Sequence, residues 1–296
     1  MIRFNKQWAV ASALAAIMSV QGGASIAKYL FGLLGPAGAV TLRVGLAGLM
    51  LALLFRPKIA RFTRRDWGGI LFYGLSIGAM NLTFYYGIQR VPLGVGVAVE
   101  FIGPLGLALL ASRKALDFVW AILAAAGIAL IVPWTGGGAV DRLGLALVAA
   151  AGLFWTSYII ATSRIAGKMK SSDAVTCGMC VATLLVLPFG LASGDLFRLD
   201  GRLLLLGFGV AVFSSALPFT LDLWTMRKLP AKTYSVLQSL HPVFAALSGL
   251  LFLGEQLTLA QWIAIFCVVA ATAGATVTAS EKKEEGIHAK GEEKTF

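Results

Sequence analysis

Charge is scarce in this chain. Only 13% of its 296 residues are Asp, Glu, Lys or Arg, where soluble domains carry roughly a quarter. A water-facing surface cannot be kept wettable with so little charge, which excludes an ordinary soluble protein of one or two domains. Histidine is scarcer still: there are two, and His288 lies in the charged tail, which rules out a His-rich metal site. Of the three cysteines, Cys177 and Cys180 spell C-x-x-C, but at the start of an apolar run without the α/β context of a redox motif. No phosphate-binding G-x-x-x-x-G-K-[ST] run is present, so nothing points to a nucleotide-driven pump. No cofactor, metal or catalytic residue is expected. Short alternating segments of the kind that build outer-membrane barrels are also missing.

What the chain has is apolar length. Hydrophobic residues make up 58% of it, and the mean hydropathy is +0.83. A bilayer core about 30 Å thick takes roughly 20 apolar residues per helix. Ten such stretches are expected to span, near 8–30, 37–55, 67–88, 91–111, 116–132, 143–163, 174–193, 203–225, 231–253 and 258–278. Between them fall helix breakers or charges: GLLGPAG at 32–38, RPKIARFTRRD at 56–66, QRVP at 89–92 and PWTGGGAVDR at 133–142. The expected fold class is therefore all-α and integral to the membrane.

Lys and Arg set the orientation. With the amino terminus inside, nineteen of the 25 fall on the cytoplasmic side, including Arg56, Lys58, Arg61, Arg64 and Arg65 after the second span. The other side holds Lys28, Arg90, Arg142, Arg198 and Arg202, and Arg43 lies within a span. Both termini are thus expected in the cytoplasm of a bacterial inner membrane. This bias accounts for the net charge of +11 without any nucleic-acid partner. Arg3 and Lys6 before the first apolar run resemble a signal peptide. That run is kept as a span, because removing it would break the internal symmetry. The end, EKKEEGIHAKGEEKTF, lacks an apolar period and is expected to be disordered.

The halves, 1–135 and 141–279, resemble each other. VPLGVGVAVEFIGP (91–104) aligns with LPAKTYSVLQSLHP (229–242): Pro92 and Pro104 stand as far apart as Pro230 and Pro242, and Glu100 coincides with Gln238. Five spans per half is an odd number, so one half must sit upside down relative to the other. Inverted repeats are a recurring plan of secondary transporters, with the substrate between them near the midplane.

These residues carry a family resemblance. The five-plus-five plan resembles the drug/metabolite transporter superfamily, in particular its EamA-type exporters. SVQGGASIAKYLF (19–31), LFYGLSIGAMN (71–81), VPLGVGVAVEFIGPL (91–105), SRKALDFVW (112–120) and FSSALPF (213–219) are similar to bacterial threonine/homoserine exporters. The resemblance implies export of small neutral amino acids by proton exchange with alternating access. Export of other metabolites or drugs is the alternative, and an integral membrane enzyme acting on lipid is a remote one. Where the family pattern has a glutamate before the proline of the ninth span, this chain has His241-Pro242.

Intramembrane polarity marks the candidate site, because an ionisable group inside a span costs about 3 kcal/mol or more unless it faces a cavity or a partner. Glu100 is central in the fourth span, with Gly96 and Gly103 on the same face. It is expected to attract a substrate ammonium or carry the coupling proton; the plain alternative is an ion pair with Arg43. Arg43 in turn suits a substrate carboxylate. Tyr234, Gln238 and His241 form a polar stripe in the ninth span. Gln21, Ser25 and Lys28 share a face of the first span, and Gly74, Gly78, Asn81 and Tyr85 one of the third. Ser214, Pro218 and Asp222 share one in the eighth, and Trp155 pairs with Tyr158 in the sixth. Each stripe suits helix–helix hydrogen bonding as well as a polar cavity. Lys28 and Asp222 lie near span ends, where snorkelling is cheap. Pro104 and Pro242 are expected as paired hinges.

Overall fold

The structure, a computed structural model, describes residues 6–110, 115–131, 141–165, 169–218, 221, 225, 229 and 231–292. Asp222, Pro230 and the Gly-rich 133–140 segment named above lie outside the described residues. The described chain is helical throughout. Its helices are α1 (Lys6–Tyr29), α2 (Phe31–Phe55), α3 (Arg64–Ile88), α4 (Leu93–Glu100), α5 (Ile102–Leu110) and α6 (Ala115–Ile131). After these come α7 (Arg142–Ile165), α8 (Ser171–Ala192), α9 (Gly201–Ala211), α10 (Ala231–Gln238), α11 (His241–Leu253) and α12 (Leu259–Glu292).

Six segments among the described residues are long and apolar enough to cross a membrane: Gln7–Tyr29, Phe31–Phe55, Arg142–Ile165, Ser172–Ala192, Val236–Leu253 and Leu259–Val277. Shorter apolar helices run over Leu93–Leu107, Phe118–Leu130 and Gly201–Ser214. Large apolar side chains such as Leu54, Phe118 and Ile122 stand exposed, as lipid-facing residues do.

Local chemistry explains the boundaries. Thr63 caps α3: the Asp66 amide donates to its hydroxyl, and the Thr63 amide donates back to the Asp66 carboxylate at 2.9 Å, a capping box. The 32–38 break expected between the first two spans is instead absorbed into α2, which starts at Phe31. It kinks at Gly35, whose φ of 57° is left-handed and therefore suits glycine. The expected spans at 91–111 and 231–253 are each cut in two. Pro104 has no N–H to return to the Glu100 carbonyl, nor Pro242 to that of Gln238, so α4 ends at Glu100 and α10 at Gln238. The prolines expected inside kinked helices thus sit in the first turns of α5 and α11.

The carboxyl-terminal stretch expected to be disordered continues α12 through Glu292. Its Glu, Lys and Ala residues are strong helix formers, and they extend a helix that is already nucleated.

The helices pack mainly across the two halves. α3 lies against α7 and α8, α2 against α8 and α9, α6 against α12, and α4 against α11; α1 lies against α11 and the residues after α9. Small residues allow the closest approaches. Gly103 and Gly152 bring α5 and α7 backbone to backbone, with the Glu100 carbonyl beside Gly152. A Gly152→Leu substitution is expected to cost at least the 1–3 kcal/mol typical of overpacking. Gly22→Ala, which meets nothing within 4 Å, is expected to change little. Thermal unfolding of the purified variants checks both.

Candidate functional site

The breaks in the fourth and ninth expected spans place polar ends in the middle of the helix packing. Gln21 (α1), Arg43 (α2), Asn81 (α3), Glu100 (the end of α4), Trp155 (α7) and His241 (the start of α11) line one chamber of about 180 Å³. An adjoining chamber of about 240 Å³ shares Arg43, Asn81 and Trp155, and adds Tyr73, Tyr158, Ser214 and Pro218. Eight of the ten binding residues expected from the sequence therefore meet around one central space.

Within it the polar groups are only partly engaged. Glu100 is buried, and no described residue donates a hydrogen bond to its carboxyl group or pairs with it within 4 Å. The Glu100–Arg43 ion pair, the plain alternative for Glu100, is thus not formed among the described residues. Arg43 instead donates to the Tyr85 hydroxyl at 2.9 Å, so the two charges face the same chamber without touching. The Gln21 amide nitrogen lies 2.8 Å from Nδ1 of His241. Asn81 donates to the Ile77 carbonyl at 2.9 Å, which leaves its amide oxygen for other partners. Phe101, in the break after α4, stands edge-on to Trp155 with ring centroids 4.8 Å apart and 6.1 Å from His241. Beyond α9 the chain forms a π-helical stretch, Val212–Ala216. The Phe213 carbonyl there accepts from the Ser19 hydroxyl at 2.7 Å, and the buried Ser214 hydroxyl has no hydrogen-bond partner among the described residues. Such bulges are frequent at functional sites.

Two expected contact residues do not line the chambers. Tyr85 is fully buried and acts through Arg43. Gln238 turns away and donates to the Tyr234 hydroxyl at 2.6 Å, so the expected stripe of the ninth span is split by the break after it. Gly74 and Gly78 serve packing against α8 at Gly178 and Ala182.

Sequence reasoning missed Glu255. Its carboxylate pairs with Lys28 at 2.6 Å and accepts the Leu93 amide at 2.7 Å; Lys28 also donates to the Val91 carbonyl at 2.7 Å. This clasp joins the end of α1, the start of α4 and the turn after α11. Lys28, near a span end where snorkelling is cheap, is held in this pair instead. The available signal was Glu255 itself, the sole acidic residue between the last two expected spans. Nearby, Arg90 donates to Asp141 at 2.8 Å and holds that carboxyl below the usual carboxylate range.

Comparison with known proteins defines what this arrangement belongs to. The chain is 40% identical over 272 residues to the threonine/homoserine exporter RhtA of Escherichia coli K12, covering 92% of each protein. This chain belongs to the EamA-like transporter family. The family model itself matches residues 142–277. The RhtA protein of Salmonella typhimurium SL1344 is 41% identical over 266 residues, 90% of each chain. An uncharacterised inner membrane transporter of Salmonella typhimurium LT2, YicL, is 28% identical over 130 residues, 41% of this chain and 43% of YicL. A solved crystal structure shares the fold at a TM-score of 0.58 and 18% identity, covering 94% of this chain and 99% of the other. The protein is accordingly a multi-pass inner-membrane transporter of the EamA-like family, close to the RhtA exporters. Its cargo is a small molecule.

In this EamA-like protein the Lys28–Glu255 clasp is largely sheltered, with side chains 16% and 14% exposed. Removing one partner of a buried pair strands the other charge, at a cost of about 3 kcal/mol. Lys28→Met is expected to lose that much stability, and Lys28→Met/Glu255→Gln to lose less than the sum of the single variants. A double-mutant cycle on thermal unfolding measures the coupling; additive effects would show that the pair is not holding the two halves together.

Proposed function

We propose that this transporter exports small neutral amino acids of the threonine/homoserine kind in exchange for protons, by alternating access between two inverted five-helix repeats. The observation that carries the reading is the pair of opposite charges, Glu100 and Arg43, lining one buried chamber without forming an ion pair. A zwitterionic amino acid presents the complementary pair. Its ammonium would meet the Glu100 carboxylate and its carboxylate the planar guanidinium of Arg43. Glu100 would carry the coupling proton when the ammonium leaves. The names of the RhtA relatives agree with this cargo.

The inverted repeat, 1–135 and 141–279 with ten spans in all, draws support from the packing. Exchanging each span of one half for its counterpart turns the α3–α7 contact into that of α9 with α1. It turns the α3–α8 contact into that of α9 with α2. The α2–α8 and α6–α12 contacts map onto themselves, and the α1–α11 contact becomes that of α7 with α5. In this reading both termini are cytoplasmic, by the distribution of Lys and Arg. The Lys28–Glu255 clasp then seals the periplasmic side, while the larger chamber, lined by Tyr73, Val175 and Met179, reaches toward the cytoplasm. The interruptions at Pro104 and Pro242 act as paired hinges.

Counterflow in proteoliposomes tests the reading. Saturable threonine or homoserine flux that responds to a pH gradient is expected, with Glu100→Gln slowing gradient-driven flux at least tenfold. Folded protein that moves no small amino acid would remove the assigned cargo and leave a transporter of other metabolites. A Pro104→Ala variant is expected to transport more slowly, and a normal rate would count against the hinge.

A further inference from the structure

Apart from the central chambers, two cavities flank the cytoplasmic end of α2. The first is an apolar groove of about 450 Å³ between α2 and α9, lined by Ala47, Met50, Leu51, Leu54, Phe208 and Ala211 among others. Along α2 it runs from Ala47 to Leu54, about 10 Å at 1.5 Å per residue. That length is most of one bilayer leaflet's hydrocarbon depth. The second begins at the very next residue, Phe55. It is a pocket of about 320 Å³ whose wall includes Arg56, Lys58, Arg61 and Lys170, with Asp66 and Asp173 as its acidic members.

The charges in this pocket do not balance. Asp66 is engaged in the cap of α3, accepting from the Thr63 amide and hydroxyl. None of the four cations forms an ion pair among the described residues. Four cations against two carboxylates leave the pocket with a net positive charge, which favours an anion. The chain turns to gather them: Arg56 is the one non-glycine residue with positive φ among those described, at 45°, and it leads into the 3₁₀ turn Ile59–Arg61, which shares the pocket with the start of α8. The starts of α3 and α8, with their partial positive charge, lie at the same pocket.

We infer that the groove and the pocket together form a binding site for one anionic phospholipid. Its acyl chain lies along α2 from Leu54 to Ala47, and its phosphate sits among Arg56, Lys58, Arg61 and Lys170. Topological bias alone explains why basic residues collect on this side of the membrane. It does not explain a cationic cavity that begins on α2 where an apolar groove on the same helix ends. The bound lipid holds the turn after α2 against the start of α8, and so ties the second span of one half to its counterpart in the other. This site is separate from the amino-acid chamber, and its test does not depend on what the protein transports.

The experiment compares purified full-length protein in detergent with added phosphatidylglycerol, added phosphatidylcholine of the same chains, or inorganic phosphate. Thermal unfolding and native mass spectrometry are the readouts. Phosphatidylglycerol is expected to stay bound and to raise the unfolding temperature more than phosphatidylcholine does, with inorganic phosphate giving no comparable shift. Lys58→Gln/Arg61→Gln/Lys170→Gln is expected to weaken phosphatidylglycerol binding on the order of a hundredfold. Leu51→Trp, which fills the groove and leaves every charge in place, is expected to abolish the same preference. Equal shifts by the two lipids would overturn the site. A full shift by inorganic phosphate would make it a free-anion pocket and overturn the lipid assignment. Retention of the preference by Leu51→Trp would remove the groove from it.

Discussion

In hydrocarbon every backbone N–H and C=O must find a partner, because no water is there to supply one. Two prolines break that rule in this chain at matching places. Pro104 leaves the Glu100 carbonyl without its helical donor, and Pro242 does the same to that of Gln238. Irregular backbone at this depth is tolerated only where protein or a polar cavity surrounds it. The remaining architecture answers that constraint. Gly152 lets α7 close on the Glu100 carbonyl, Phe101 occupies the gap between α4 and α5, and the two helix ends face a space lined by polar side chains. The functional cavity and the helix interruptions are one feature seen from two sides.

The Lys28–Glu255 clasp follows from the same economy of charge. α4 starts at Leu93, whose amide has no intrahelical acceptor, and its cap residue Pro92 offers no side-chain bond. Glu255, arriving from the other half, accepts that amide, and Lys28 neutralises Glu255. An acidic side chain at a helix amino terminus is favourable on dipole grounds as well. One carboxylate therefore caps a helix and ties three elements together. A cavity open on this side would require all of these bonds to exchange for water at once, which makes the clasp a two-state element rather than a loose contact.

Much of the site was legible because charge in a lipid-spanning helix is rare enough to be informative. Glu100, Arg43, Asn81, Gln21 and His241 stood out on polarity alone, and they converge. The apolar walls, Met80, Phe84 and Phe101, could not be read, since an apolar residue in an apolar helix carries no signal. Gln238 was misplaced for a related reason. Helical spacing put it on a stripe with His241, but the break at Ser239 and Leu240 rotates one away from the other. Glu255 escaped notice because a charge at a span end is cheap and looks like solvated loop. The amino-terminal limit of α2 was missed because Gly35-Pro36 reads as a turn, whereas the chain uses it as a kink within one helix.

In the proposed function, the separation of Glu100 from Arg43 is the point on which specificity would turn. Joined directly, the two would satisfy each other, and a ligand would have to break a buried pair before binding. Tyr85 prevents this by fixing Arg43 through its hydroxyl at 2.9 Å, and Tyr85 is itself immobilised by complete burial and by Phe31, whose ring centroid lies 5.4 Å away. The arginine is thereby preorganised, and the cost of orienting it is met in folding rather than in binding. Glu100 keeps its carboxyl free of protein donors at the end of a broken helix. A ligand with one positive and one negative group at short range satisfies both at once. A ligand with only one of them leaves the other charge buried and unpaired, a penalty of several kcal/mol. On the proposed function, discrimination for a zwitterion over a simple amine or a simple acid would follow from keeping the two charges apart, a task that falls to a tyrosine buried behind the chamber.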